Sequence, residues 1–279
     1  MNGASWREIL FGKTLGICAV AFALLAPVTA LTLLLWVILS GWQIGADSLF
    51  RVSGLLASYT IYFIVCAFIA VLVSAFHKTS RAALTTLVVV WILFCIVMPK
   101  ATQTLGSKLY PTPSKSQFEA GLEEEISQEG DGHNPDDPKF VKLREDTLRE
   151  YNVARVEDLP FNYGGLVMAE AERISSKVFR EHYEDLIETF RRQNRVTEIA
   201  SFVNPYLAIR NLSMSLSGSD FDGYADFQTQ AETYRYNLIQ KMNELHKNEI
   251  KYENDRAQRV SSADFKNLPP FVFAAAARF

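Results

Sequence analysis

Three apolar runs fill the first hundred residues, Ile17 to Leu39, Val52 to Phe76 and Ala82 to Met98, and none contains Asp, Glu, Lys or Arg. A hydrocarbon core about 30 Å thick takes roughly 20 helical residues to cross. The first two runs meet that length, and the third meets it by continuing past Pro99. As buried helices of a soluble core, three consecutive charge-free runs would leave no polar face for water. Nor is the first run a cleaved secretory signal, whose apolar region is about 7 to 15 residues. The chain is therefore read as crossing a membrane three times.

Charge is divided as sharply as hydropathy. The sequence has 28 basic and 31 acidic residues, of which only Arg7, Glu8, Lys13, Asp47, Arg51, Lys78, Arg81 and Lys100 lie in residues 1–100. The near-zero mean hydropathy is thus the average of a membrane part and a water-facing part. The water-facing part is net acidic, which argues against nucleic acid as its partner, because phosphate binding requires the opposite sign.

Orientation follows from the basic residues beside the spans. Arg7 and Lys13 precede the first, while His77, Lys78 and Arg81 fill the break between the second and third. By the positive-inside tendency both regions are expected in the cytoplasm. Three spans then place the acidic domain outside it. Cys18, Cys66 and Cys95 all lie within spans, so no disulfide framework is available to that domain.

Inside the spans, Pro27 is expected to loosen one backbone hydrogen bond. Ser53, Ser58, Thr60 and Tyr62 make a mildly polar stretch that suits either a path lining or helix contact through small residues. The spans themselves supply no acid or base for a proton relay, which argues against ion-coupled transport by this chain alone.

The second part reads as helices joined by turns. Ser114 caps a helix from Lys115 to about Gln128, and a second helix fits Lys139 to Asn152. Asp131, His133, Asp136 and Asp137 match neither a calcium loop nor a zinc pair and read as a solvated acidic turn. Leu159 to Gly165 reads as a turn, followed by an amphipathic helix from Met168 to about Arg195 with His182 at its surface. Tyr206 to Leu216 is apolar enough to lie against helices or membrane. From Gly223 to about Arg259, a stripe of Tyr224, Phe227, Ala231, Tyr234, Leu238, Met242 and Leu245 gives the seam of an antiparallel helical hairpin. The expected fold is all-α: a segment at 1–14, three spans in 15–102, a helical exported domain in 103–268, and the start of a further membrane helix in 269–279.

Catalytic signatures are missing from the sequence. It contains no Gly-rich phosphate loop ending in Lys-Ser or Lys-Thr, no Gly-x-Ser-x-Gly elbow, no His-Glu-x-x-His pair and no Cys-x-x-Cys. No catalytic, cofactor or metal-binding residue is assigned, and the chain is not expected to be an enzyme.

Arg7-Glu-Ile-Leu-Phe-Gly-Lys13, running into a span, resembles the cytoplasmic connection before the third membrane helix in permease subunits of type 2 ABC transporters. Further matches are Leu109-Tyr-Pro-Thr-Pro-Ser114, Leu159-Pro-Phe-Asn-Tyr-Gly-Gly165, Asn204-Pro205, Leu212-Ser-Met214, Gly218-Ser-Asp220 and Ala231-Glu-Thr-Tyr-Arg235. Together they resemble the exported domain of bacterial permeases related to the gliding-motility and nitrous-oxide-reductase maturation types. The resemblance implies an exporter subunit in the bacterial inner membrane, paired with a second permease as a homo- or heterodimer. A separate ATPase subunit would dock on Trp6, Arg7, Glu8, Gly12 and Lys13. Family members have further membrane helices before Arg7 and one after the domain, so a truncated form of a six-helix subunit is expected. The competing expectation is a membrane-anchored extracytoplasmic scaffold that moves nothing.

Overall fold

The computed structural model describes residues 3, 5–254, 259 and 268–274. Among them the ordered elements are helical: α1 Trp6–Leu39, α2 Ala46–Phe76, α3 Ser80–Ile92, a π-turn Leu93–Val97, α4 Met98–Leu109, α5 Lys115–Glu129, α6 Pro138–Glu150, α7 Tyr163–Ser201, α8 Pro205–Ser217 and α9 Phe221–Glu249, with short 3-10 turns at Val156–Asp158 and Tyr252–Asn254. The all-α expectation holds. Three helices have the length and composition to cross a membrane: α1, α2 and the continuous run from Ser80 to Leu109. Their apolar side chains, among them Leu24, Val28, Leu31, Ile61 and Val89, face outward instead of into a core. Such a surface is stable against hydrocarbon and not against water, and the chain is membrane-embedded.

The chain divides into two compact units, residues 1–110 with 191–221 and residues 111–190 with 222–279. In the first, one polar side chain repairs the backbone of the third span. Met98 N–H bonds to Leu93 O in the π pattern, so Phe94 O loses its regular donor, and the next candidate, Pro99, has no N–H. Asn204 Nδ2 donates to Phe94 O at 2.9 Å. The same fully buried side chain accepts at Oδ1 from Tyr206 N (2.9 Å) and Leu207 N (3.3 Å), capping α8.

From that anchor α8 runs antiparallel to α2. Tyr206 lies near Tyr62 and Cys66, Ser213 Oγ is 3.3 Å from the Tyr59 hydroxyl, and Arg51 Nη1 donates to Leu216 O at 3.4 Å. A Cβ on Gly54 would stand 3.1 Å from Leu216, so glycine lets the helices approach. Residues 191–201 of α7 pack along α4: a Cβ on Gly106 would meet Gln193 O at 2.8 Å, and Thr197 donates to Thr102 at 3.4 Å. Residues 191–221, placed by the sequence reading inside the 103–268 domain, thus pack with the spans. Within the polar stretch of α2, Ser58 and Thr60 bond back to Gly54 O and Leu56 O of their own helix, while the contacts to α8 are made by the neighbouring Gly54 and Tyr59, the latter with a partner about 150 residues away in the chain.

In the second unit, Ser114 and Gln117 form a capping box for α5. Asp137 caps α6 through Lys139 N and Phe140 N and also accepts from Asp131 N at 3.0 Å. The acidic turn is therefore closed by a buried carboxylate, not solvated throughout. Asp131 N–H, opposed by desolvation and helped by the cap donors, holds the Asp137 carboxyl below the usual range.

α7 starts earlier than the sequence implies, because Asn162 Oδ1 accepts from Gly164 N at 2.8 Å while Asn162 N donates to Lys247 O at 2.8 Å. A Cβ at Gly165 would run into the Lys247 backbone. Against α7, α9 is antiparallel as expected: Gln240 Nε2 donates to Ala169 O at 2.9 Å, and Arg235 to Glu172 at 2.8 Å and Ser176 at 3.0 Å. The seam, however, is not the aromatic stripe. Ala225 and Asn243 are its buried members, while Phe227 and Tyr234 pack on Phe271 and Phe273 of an extended segment. α9 also ends at Glu249, ten residues short of the expected Arg259. Over 269–274, where a membrane helix was expected to begin, the chain is extended, with Gln230 clamping Ala274 N and O at 3.0 and 2.8 Å and Tyr234 donating to Pro269 O at 2.9 Å. Residues 275–279 of that expected helix lie outside the described residues.

Asn204→Ala removes a cap and strands a buried carbonyl. A loss of about 2 to 4 kcal/mol is expected, read as a lower thermal midpoint in detergent, with exposed Asn194→Ala unchanged. Asp137 has a depressed folded-state pKa, so its stabilisation is present above the ordinary carboxylate pKa and disappears as pH falls through the folded value. Asp137→Ala should lower stability near neutrality by about 1 kcal/mol and narrow its gap to wild type in acid, measured by denaturant titration against pH.

Candidate functional site

The residues singled out for coupling lie on the first two turns of α1. The sequence suggests a segment at 1–14 separate from the spans; instead these residues continue the first span without a break. Ser5 and Glu8 explain the start: Glu8 N donates to Ser5 Oγ at 3.4 Å and Ser5 N to Glu8 Oε2 at 2.7 Å, a capping box. A helix of 34 residues is about 51 Å long, and the charge-free run from Ile17 to Leu39 accounts for about 34 Å of it. The turns carrying Trp6 to Lys13 therefore extend beyond the apolar run as a rigid continuation of it.

Burial sorts these residues by role. Leu10, Thr14 and Cys18, spaced four apart, are buried together with Ala67 and Val71 of α2. Trp6, Ile9 and Phe11 are exposed, as are Arg7, Gly12 and Lys13. Leu10 thus packs inside the unit, and Glu8 is engaged in the cap, so Trp6, Arg7 and Lys13 remain as presented side chains, with bare backbone at Gly12. Trp6, Ile9 and Lys13 form one wall of a groove of about 760 Å³ whose other wall is Ala70, Ser74 and Ala75 of α2. The groove is apolar with a cation on its rim. Just after α2, His77 bonds Val73 O at 2.8 Å and Thr86 at 3.0 Å and so fixes the turn into α3.

The remaining candidates resolve as structural groups. His182 is half-buried and paired instead of free at the surface: Nε2 lies 2.6 Å from Glu125 Oε2, and its ring packs on Phe118, tying α7 to α5. No group of three metal-ligating side chains forms among the described residues. The fold also brings a charged side chain, Arg210 on α8, alongside the charge-free stretch of α2. The signal for it was present in the sequence as a single Arg within an apolar stretch that follows Asn204-Pro205.

Gly12 has open space where a Cβ would stand. Gly12→Ala is therefore expected to raise the helicity and thermal midpoint of the isolated chain by an amount equivalent to about 0.5 to 1 kcal/mol, measured by circular dichroism. A fall would mean that the turn is not helical in solution.

Neither a curated protein nor a solved structure matches the chain. The model for a family described as a domain of unknown function, DUF3526, matches residues 115–274, from the start of α5 through α9 to the extended segment. With more than half of its length matched, this membrane-embedded chain belongs to the DUF3526 family.

Proposed function

We propose that the chain is the permease subunit of an ATP-binding cassette exporter of type 2, driven by a separate ATPase subunit that docks on the first turns of α1. One observation carries the reading: the docking turns and the first span are one uninterrupted helix. Displacement of a partner seated on Trp6, Arg7, Gly12 and Lys13 reaches the span as rigid-body motion, because no hinge lies between them. The groove beside α1 offers that partner an apolar slot with Lys13 at its edge.

Energy has to come from another chain, since this sequence has no nucleotide-binding loop. A second permease, identical or different, completes the pathway in this reading, and the outward-facing apolar surface of α1 suits such a contact. The N-terminus and the His77–Arg81 turn are on the cytoplasmic side of a bacterial inner membrane, and the unit of 111–190 with 222–279 is extracytoplasmic.

Purification of the tagged chain from its own cells should bring down an ATPase with vanadate-sensitive ATP hydrolysis. Arg7→Glu with Lys13→Glu reverses two exposed charges and is expected to reduce the retained hydrolysis at least tenfold without lowering the thermal midpoint of the chain. Retention of the ATPase by that double variant would defeat the docking assignment. A chain that purifies without any ATPase, while carrying a bound extracytoplasmic protein, would establish the scaffold instead.

A further inference from the structure

α8 carries one charged side chain, Arg210, and its surroundings make that charge costly. The helix lies along the charge-free stretch of α2, from Arg51 at one end to Tyr62 and Cys66 at the other. A bilayer that covers this stretch of α2 also covers α8. Arg210 stands about 9 Å along the helix from Leu216, between the contact of Ser213 with Tyr59 and the small cavity shared by Tyr206, Tyr62 and Cys66.

Its own contacts leave the charge unmatched. Nη2 donates to Asn211 Oδ1, a neutral acceptor, at 3.3 Å. Nε is buried and has no hydrogen-bond partner among the described residues. No carboxylate occurs in α8, in α2 beyond Arg51, or in the third span. A guanidinium does not escape burial by losing its proton, and the helix stretches beside it offer no carboxylate, which leaves the charge open to an anion from outside the chain. The neighbouring surface is apolar: Leu212 and Met214 on α8 and Phe202 and Val203 in the preceding turn are exposed. A free anion gains nothing from that surface, whereas a lipid covers it with its own acyl chain.

We propose that Arg210 binds the phosphate of an anionic phospholipid whose acyl chain lies against α2 and α8. The planar guanidinium presents paired N–H donors that match phosphate oxygens, and its apolar stem lets the head reach toward the Arg51 end of the spans. The site goes beyond the transport reading and needs no ATPase, so either assignment can fail alone.

The test uses the full chain in an uncharged detergent, with binding of phosphatidylglycerol, phosphatidylcholine and inorganic phosphate followed by native mass spectrometry. Wild type is expected to prefer phosphatidylglycerol, Arg210→Gln to weaken that binding about tenfold, and Arg210→Lys to keep part of it. Lys78→Gln, at the other end of α2, should change little. Unaltered phosphatidylglycerol binding in Arg210→Gln overturns the proposal, and an equal loss in Lys78→Gln reduces it to diffuse charge attraction and overturns it too. Displacement of phosphatidylglycerol by inorganic phosphate overturns the lipid as the source of the anion. Arg210→Met should unfold at the same or a higher temperature, since it strands no buried partner charge; a lower midpoint would make Arg210 a structural residue and sink the assignment.

Discussion

The bond from Asn204 to the Phe94 carbonyl is the constraint on which the membrane unit depends. Pro99 breaks the hydrogen-bond ladder of the third span, and the π-turn before it leaves Phe94 O without a backbone donor. An unpaired carbonyl at hydrocarbon depth is expensive, so the span is stable only with an outside donor. Asn204 supplies it and, with the other end of its amide, starts α8. One side chain therefore both repairs the third span and fixes where the last short helix lies along the second.

Further contacts follow from that placement. Once α8 starts beside Phe94, its length brings Leu216 to Gly54 and its carbonyl to Arg51, and Ser213 to Tyr59. The same geometry carries Arg210 alongside α2, a place to which hydropathy alone would not assign a charge. The water-facing unit is built differently. Its hairpin of α7 and α9 is joined by ionic and amide contacts around Arg235 and Gln240, and by the close backbone approach at Gly165. Its aromatic side chains are used to hold the extended segment at 268–274.

Legibility in the sequence followed the range of the interaction. Helix starts were readable where a cap and its recipient are three residues apart, as with Ser114 and Gln117. The start of α7 was not, because Asn162 and Gly165 owe their conformation to Lys247. His182 looked solvated among charged neighbours on its own helix, and its partner Glu125 lies 57 residues away. Trp6, Arg7, Glu8, Gly12 and Lys13 are all exposed on α1, and Glu8 is in addition engaged in a cap that the sequence Ser5-x-x-Glu8 already contained.

By itself the sequence determined three membrane-crossing lengths, an all-helical remainder and the division of the chain into a charge-poor and a charge-rich part, because each rests on runs of residues whose solvent is set by composition. Only the tertiary structure decided that residues 191–221 belong with the spans, that Phe227 and Tyr234 of α9 face the 268–274 segment, and that Arg210 sits beside the charge-free stretch of α2. Each of those depends on a donor or a small residue meeting a partner far along the chain, 110 residues for Asn204 and Phe94. Local periodicity carries no information about such a meeting, since it reports which face of a helix is apolar and not what covers it.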